Sequence, residues 1–199
     1  MGMMNEELVL AMKAVLIPDE KGEISINMWD TATEFLSRTS NRIIVGHPLC
    51  RNQEYLDAAV HYAVSMFSTA VYIWFIPPFL RSLLAPLDRD IVAKHVIPII
   101  EERMRLIALA EEKGVEPGLP NDHLSAAMKV ARKDPNASLE YTPMMLVNRI
   151  LTFNFLQSYS NTLTLTNSVY DLISLPEDLF SVTVADLRKE ISTQLKSST

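Results

Sequence analysis

The sequence predicts an all-α fold. Apolar residues recur at three- and four-residue spacing through most of the chain, which is the helical period. Five glycines and eleven prolines punctuate 199 residues, and the prolines fall mostly at the edges of the periodic stretches. One stretch, Thr142 to Leu175, has no Gly or Pro between Pro143 and Pro176 and is the longest candidate helix.

Taken in order, residues 4–17 predict a short amphipathic helix with Leu8, Met12 and Val15 or Leu16 on its apolar side. Pro18 to Gly22 is a turn, and Ile24-Ser25-Ile26 alternates before Asn27, a natural N-cap. The helix that follows carries Trp29, Ala32, Phe35, Leu36 and Ile43 and stops at Gly46. A loop, His47 to Asn52, leads into the most apolar helix, residues 53–76. Its charge-free run from Ala58 to Ile76 is long enough to be weighed as a membrane span. His61, Ser65, Ser68 and Thr69 dilute that run, and a core helix ending at Pro77-Pro78 is the competing reading. Residues 88–113 predict a charged amphipathic helix with Val92, Val96, Ile100, Met104 and Ile107 inward and Pro98 as the candidate kink. Asp122 to Lys133 is a short helix between two loops, 114–121 and 134–141.

The stretch from Thr142 has a start signal in Thr142-Pro143 and a stop signal in Leu175-Pro176. Leu151, Phe155, Ser158, Thr162, Leu165, Val169 and Leu172 keep a three-four spacing along it. Its middle, Gln157 to Thr162, is polar and uncharged, so a buried helix here needs partners for that waist. Pro176 to Phe180 reads as a short helix, and Thr183-x-x-Asp186 opens a last amphipathic helix with Leu187, Ile191 and Leu195.

A 48% hydrophobic and 21% charged composition is that of a globular protein, and the length favours one domain. The net charge of −6 and the lack of a basic stripe argue against nucleic-acid binding. One cysteine, Cys50, rules out an internal disulfide framework and a cysteine-based zinc site. His47, His61, His95 and His123 are scattered without metal-ligand spacing, so no metal ligands are expected among them. There is no secretory leader pattern at the N-terminus. Cys50 beside Arg51 is the one candidate nucleophile, set against the plainer reading of a structural loop cysteine.

Ser37 to Tyr55, SRTSNRIIVGHPLCRNQEY, closely resembles the R-x-S-N-R-x-x-V-G-x-P-L-C-R-N segment of fungal cytochromes P-450, especially the ent-kaurene-oxidase-like group. Ile99-Ile100-Glu101-Glu102-Arg103 resembles the I-I-E-E-R that follows that family's F–G region. Leu119 to Ser125 resembles the P-N-D-x-L-S before its central helix. Asn154-Phe155, Thr162 and Tyr170-Asp171-Leu172, with Pro176-Glu177 beyond, resemble the central I helix and the J helix after it. The order and spacing agree from about residue 20 to 192.

The resemblance implies a partial cytochrome P-450 helical fold with one long central, I-like helix, as a single partial domain over 1–199. Residues 1–52 would supply D/E-like helices and 53–114 F/G-like helices. Residues 115–141 would form a short helix and loops, 142–175 the I-like helix, and 176–199 a J-like helix and tail. It also implies a heme cofactor, oxygen insertion into an apolar small molecule, an electron-donating reductase as partner, and a family usually anchored to the endoplasmic reticulum. Ser160 falls at the family's oxygen-relay threonine and Tyr159 at the neighbouring acid or histidine position, which makes them the candidate catalytic residues. Leu156 and Gln157 stand where the family has two small residues facing heme, so they are the cofactor-facing candidates. Phe67, Val71 and Phe75 would line the substrate pocket, and residues 58–87 could touch a membrane surface. The family's F-x-x-G-x-x-x-C-x-G ligand loop, its K-helix E-x-x-R and its W-x-x-x-R helix have no counterpart in this sequence. Glu102-Arg103-Met104-Arg105 fits E-x-x-R in letters but precedes the central helix. The expectation is therefore a piece of a monooxygenase that binds no heme as a thiolate complex by itself. The alternative is a non-catalytic helical protein that binds an apolar ligand or a membrane surface.

Overall fold

The computed structural model describes residues 2–72 and 88–197, and these are helical with no strand. The helices are α1 (Gly2–Val15), α2 (Met28–Ile44), α3 (Gln53–Tyr72), α4 (Asp88–Glu112), α5 (His123–Lys133), α6 (Ala137–Glu140), α7 (Pro143–Ile173) and α8 (Glu177–Ser197). A 3₁₀ turn, Leu49–Arg51, sits between α2 and α3. The chain forms two compact units, Met1–Thr162 and Leu163–Thr199, with α7 running from one into the other.

The boundaries follow local chemistry. Asn27 caps α2 by accepting from the amides of Trp29 and Asp30. Gly46 ends α2 at φ +79°, a conformation that costs a residue with a Cβ, and its N–H donates back to Asn41. The His47–Pro48 peptide that follows is cis. Asn52 accepts from the Tyr55 amide, so it caps α3 as its type predicts. Asp122 caps α5 through the Ser125 amide. Thr142 accepts from the Met145 amide, and Pro143 occupies the first position of α7.

The core of the first unit is built where the periodicity places it for α4. Val92, Val96 and Ile100 are fully buried, Ile107 is nearly so, and Met104 packs against them. They meet Tyr55, Leu56 and Ala59 of α3, Leu124 and Met128 of α5, and Leu146, Val147, Ile150 and Leu151 of α7. In the second unit α8 follows the end of α7 after the Ser174-Leu175-Pro176 break, and Leu172, Leu175, Thr183 and Leu187 line one groove.

Several expectations need correction. In α1 the buried positions are Glu7 and Ala11, whereas Met12 is exposed; the acid is inside because two arginines meet it. In α2 Ile44 is the core residue and Ile43 is exposed. Residues 134–141 hold a single turn, α6, closed by Asp134 and Asn136. Residues 177–197 are one helix rather than two, because no Gly or Pro interrupts them. Leu187 and Ile191 of that helix are largely exposed. The polar waist of α7 is not buried all round: Ser160 and Asn161 are exposed while Thr162 is buried.

A buried polar ring ties α2, α3 and α7 together. Asn41 Nδ2 donates to Asn154 Oδ1 at 2.8 Å, Tyr55 donates to Asn41 Oδ1 at 2.7 Å, and Asn154 Nδ2 donates to the Tyr55 hydroxyl at 3.3 Å. Asn41 also donates to the Ser37 carbonyl, and Asn154 to that of Ile150. All three side chains are essentially inaccessible, so each depends on the other two for satisfaction. Asn41→Ala or Asn154→Ala alone should cost roughly 2–4 kcal/mol, since each strands partners in the core. The double variant should cost clearly less than the sum. Urea unfolding of the four proteins of that cycle measures this, and strict additivity would dismiss the ring as a coupled unit.

Candidate functional site

The motif residues converge on two buried carboxylates. Asp122 receives both terminal nitrogens of Arg103, each at 2.7 Å, in a bidentate pair. The same guanidinium donates to Ser125 Oγ at 2.9 Å, and the Ser125 amide donates to Asp122 Oδ1. Gly46 lies against this carboxylate: a Cβ at that position would sit 3.1 Å from Asp122 Oδ2. Three segments thus meet at one side chain: the glycine after α2, the arginine of α4 and the cap of α5.

Glu7 of α1 is the second. Only 2% of it is exposed, and it is held by Arg38 Nε at 2.5 Å and Arg51 Nη2 at 2.7 Å. The hydrogen bond from Arg51 holds its carboxyl below the usual glutamate range, and the Arg38 bond helps, against an opposing effect of burial. Arg38 and Arg51 both belong to the Ser37–Tyr55 segment. Sequence reasoning missed their partner; the usable signal was an acid at the centre of an otherwise apolar helix face beside Leu8 and Ala11.

The candidate catalytic face is on α7. Leu156 is 59% exposed and Ser160, one turn later, is exposed too, so the two share an outward stripe. Gln157 is half-buried and turns elsewhere, into a cleft with Leu36, Ser40 and His123. It does not join Leu156. The side chain of Tyr159 lies outside the described residues. On α3, Phe67 and Val71 are 45% and 50% exposed, again one turn apart, and Phe75 lies outside the described residues. The first half of α3 is core, with Tyr55, Leu56, Ala58, Ala59 and Ala63 buried; its second half presents Val64, Met66, Phe67 and Val71 outward.

The residues do not fit a heme-thiolate iron site. Such a site needs an accessible, deprotonated cysteine. Cys50 is completely buried in the 3₁₀ turn. Burial pushes its thiol pKa up, and the nearby Glu7 carboxylate pushes it further. Arg42, Arg51 and Arg38 pull the other way without reversing the shift, and Arg38 and Arg51 are themselves engaged by that carboxylate. Among the described residues no three or more His, Cys, Asp or Glu side chains gather as metal ligands.

Known proteins supply the family. Cytochrome P-450 monooxygenase 151 of Postia placenta is 31% identical over 96% of this chain. By sequence, this chain belongs to the cytochrome P-450 family. Cytochrome P-450 monooxygenase olcJ of Penicillium canescens is 30% identical over 98% of it, and fumoB of Cordyceps fumosorosea is 28% identical over 98%. The chain spans 38%, 36% and 36% of the lengths of these three relatives, a little over a third of each. No family model matches the chain. No solved structure matches it either. The P-450 motifs quoted from the sequence are thus packing anchors here: Arg38, Asn41, Gly46, Arg51, Arg103, Asp122, Ser125 and Asn154 all work inside the scaffold.

The depressed Glu7 pKa fixes a pH effect. A carboxylate whose folded pKa lies below its unfolded value adds stability above the unfolded value, about 4.3, and that stability is lost as pH falls through the folded value. Urea midpoints should therefore fall between pH 6 and pH 3 more steeply in the wild-type chain than in Glu7→Gln, and parallel profiles would count against the clamp. Arg103→Met should cost about 3–5 kcal/mol by stranding Asp122, and adding Asp122→Asn should recover part of that loss because Asn still caps α5. The same urea titrations at pH 7 decide this.

Proposed function

We propose that these residues are helical scaffold of a heme-dependent monooxygenase that inserts oxygen into an apolar small molecule. The match along nearly the whole chain to fungal cytochrome P-450 monooxygenases carries this reading. In it, the outward stripe of α7 faces the reaction space. Ser160 offers a hydroxyl there as a proton-relay group, and Leu156 offers an apolar surface beside it. The exposed Phe67 and Val71 of α3 contribute apolar surface for substrate, and electrons come from a reductase partner. Cys50 takes no part in iron ligation, because it is a buried neutral thiol. Tyr159 and Phe75 complete the set of site residues at the level of sequence position.

The test is spectroscopic. The chain is titrated with hemin, reduced and exposed to carbon monoxide. No thiolate-type Soret band should form, and Cys50→Ser should give the same spectrum as the parent chain. A thiolate-type band that disappears in Cys50→Ser would overturn the assignment of Cys50 and restore iron binding to this chain.

A second reading is favoured by one observation, the exposed apolar stripe Val64, Phe67 and Val71 on α3. It makes the chain a binder of an apolar ligand or of a membrane surface. No helix among the described residues is long and apolar enough to cross a membrane. Co-sedimentation with neutral phosphatidylcholine vesicles at high salt should then occur and should drop several-fold in Phe67→Ser/Val71→Ser. Equal binding by that variant would exclude the stripe as the contact.

A further inference from the structure

A cleft in the first unit lies between α1, α2, the start of α5 and α7, and its volume is about 220 Å³. At roughly 30 Å³ per water molecule this is space for about seven waters, or one small ring with a substituent. Leu36, Ile44 and Phe153 give it apolar walls, and Ser40, His123, Gln157 and Asn161 supply its polar groups. His123 stacks on Phe153 with ring centroids 3.9 Å apart and planes 21° apart, so one wall is a fixed aromatic pair. Asn161 Nδ2 donates to Gln157 Oε1 at 2.8 Å, which holds the two amides together and leaves the Gln157 NH₂ and the Asn161 carbonyl for other partners. Among the described residues neither the Ser40 hydroxyl nor the His123 ring is engaged in a hydrogen bond.

None of the lining side chains carries a fixed charge. Burial lowers the His123 pKa, against the opposing pull of Asp122, so the imidazole is neutral at pH 7. A charged ligand entering here would lose hydration with no counter-charge to replace it. A purely apolar ring would leave the four polar groups without partners and cover them from water.

We propose that this cleft is a binding site for a small neutral single-ring aromatic molecule bearing one hydroxyl, which the apolar walls and the Phe153–His123 pair enclose while Ser40, Gln157 or His123 hydrogen-bonds its hydroxyl. The site uses Gln157 and Asn161, about 100° round α7 from the Leu156–Ser160 stripe, and does not depend on the monooxygenase reading.

Phenol is the probe. Titration of the whole 199-residue chain at pH 7, read by saturation-transfer NMR and chemical-shift changes at His123 and Phe153, should show saturable millimolar binding. Benzoate, of similar size but charged, should not compete. Ser40→Leu fills the cleft and should weaken phenol binding by about tenfold or more, the equivalent of about 1.4 kcal/mol. Gln157→Leu, on a half-exposed helix position, retains the fold and should weaken binding several-fold, so the test survives if Ser40→Leu fails to fold. The proposal is overturned if phenol does not saturate, if benzoate binds as well, or if phenol binds the folded Gln157→Leu variant undiminished.

Discussion

The side chain on which most of the first unit depends is Asp122. Its carboxylate is buried, so it must be answered fully or the fold pays a large desolvation cost. Arg103 answers it from α4, and the Ser125 amide answers it from α5. The close approach of Gly46 seats the end of α2 against the same group, where a larger residue would press on an oxygen already committed to Arg103. A buried ion pair adds little net stability compared with well-packed apolar residues. Its consequence here is positional: the bidentate geometry admits one rotation of α4 about its axis and one approach of α5, and sliding either helix by a residue would strand two charges. The core residues Val96, Ile100, Leu124 and Met128 then pack in the register that this pair leaves.

Helix existence was legible wherever an apolar stripe alone decides burial. The inward row of α4 was read from spacing, and the ends of α7 and the caps Asn27, Gly46 and Thr142 from residue type, because each of these rests on local chemistry. Reading failed where burial depends on a distant partner. Glu7 has no place in the apolar pattern of residues 4–17 and is the inner anchor of α1, since Arg38 and Arg51 arrive from elsewhere in the chain. Ile43 and Ile44 were indistinguishable by hydropathy, and which of them faces inward follows from the Asn41 side chain three residues before Ile44 being locked into the polar ring. The break expected within 177–197 rested on a hydroxyl cap signal at Thr183, which a continuing helix accommodates when nothing removes a backbone N–H.

The candidate site divides along the same line. Recognition of the family rested on short motifs, and the structure shows that most of their distinctive residues hold helices to one another. Arg38 and Arg51 close on α1, Arg103 and Asp122 join α4 to α5, and Asn41 and Asn154 join α2 to α7. Residues with long-range polar partners cannot be changed singly without leaving a buried group unsatisfied, and this makes a fold recognisable in sequence without bearing on chemistry. The positions assigned to chemistry are different in kind. Leu156 and Ser160 are exposed, and adjacent Gln157 belongs to another surface because neighbouring helical residues point about 100° apart. A linear motif that groups Leu156 with Gln157 therefore merges two faces of α7.

The polar ring and the outward stripe are nevertheless connected through the rigidity of α7. Asn154 is held by Asn41 and Tyr55, and Ser160 lies six residues further along the same unbroken helix. Six residues advance the helix by about 9 Å and turn it by about 600°, so Ser160 points about 120° away from the buried Asn154. No Pro, Gly or helix break intervenes to absorb a change. The rotation of α7 that satisfies Asn154 is thus the rotation that turns Leu156 and Ser160 outward. A shift by one residue would swing the stripe by about 100° and would break the Asn41 and Tyr55 hydrogen bonds together. The buried amide and the exposed hydroxyl are two ends of one constraint: the first fixes the helix, and through it the second is aimed.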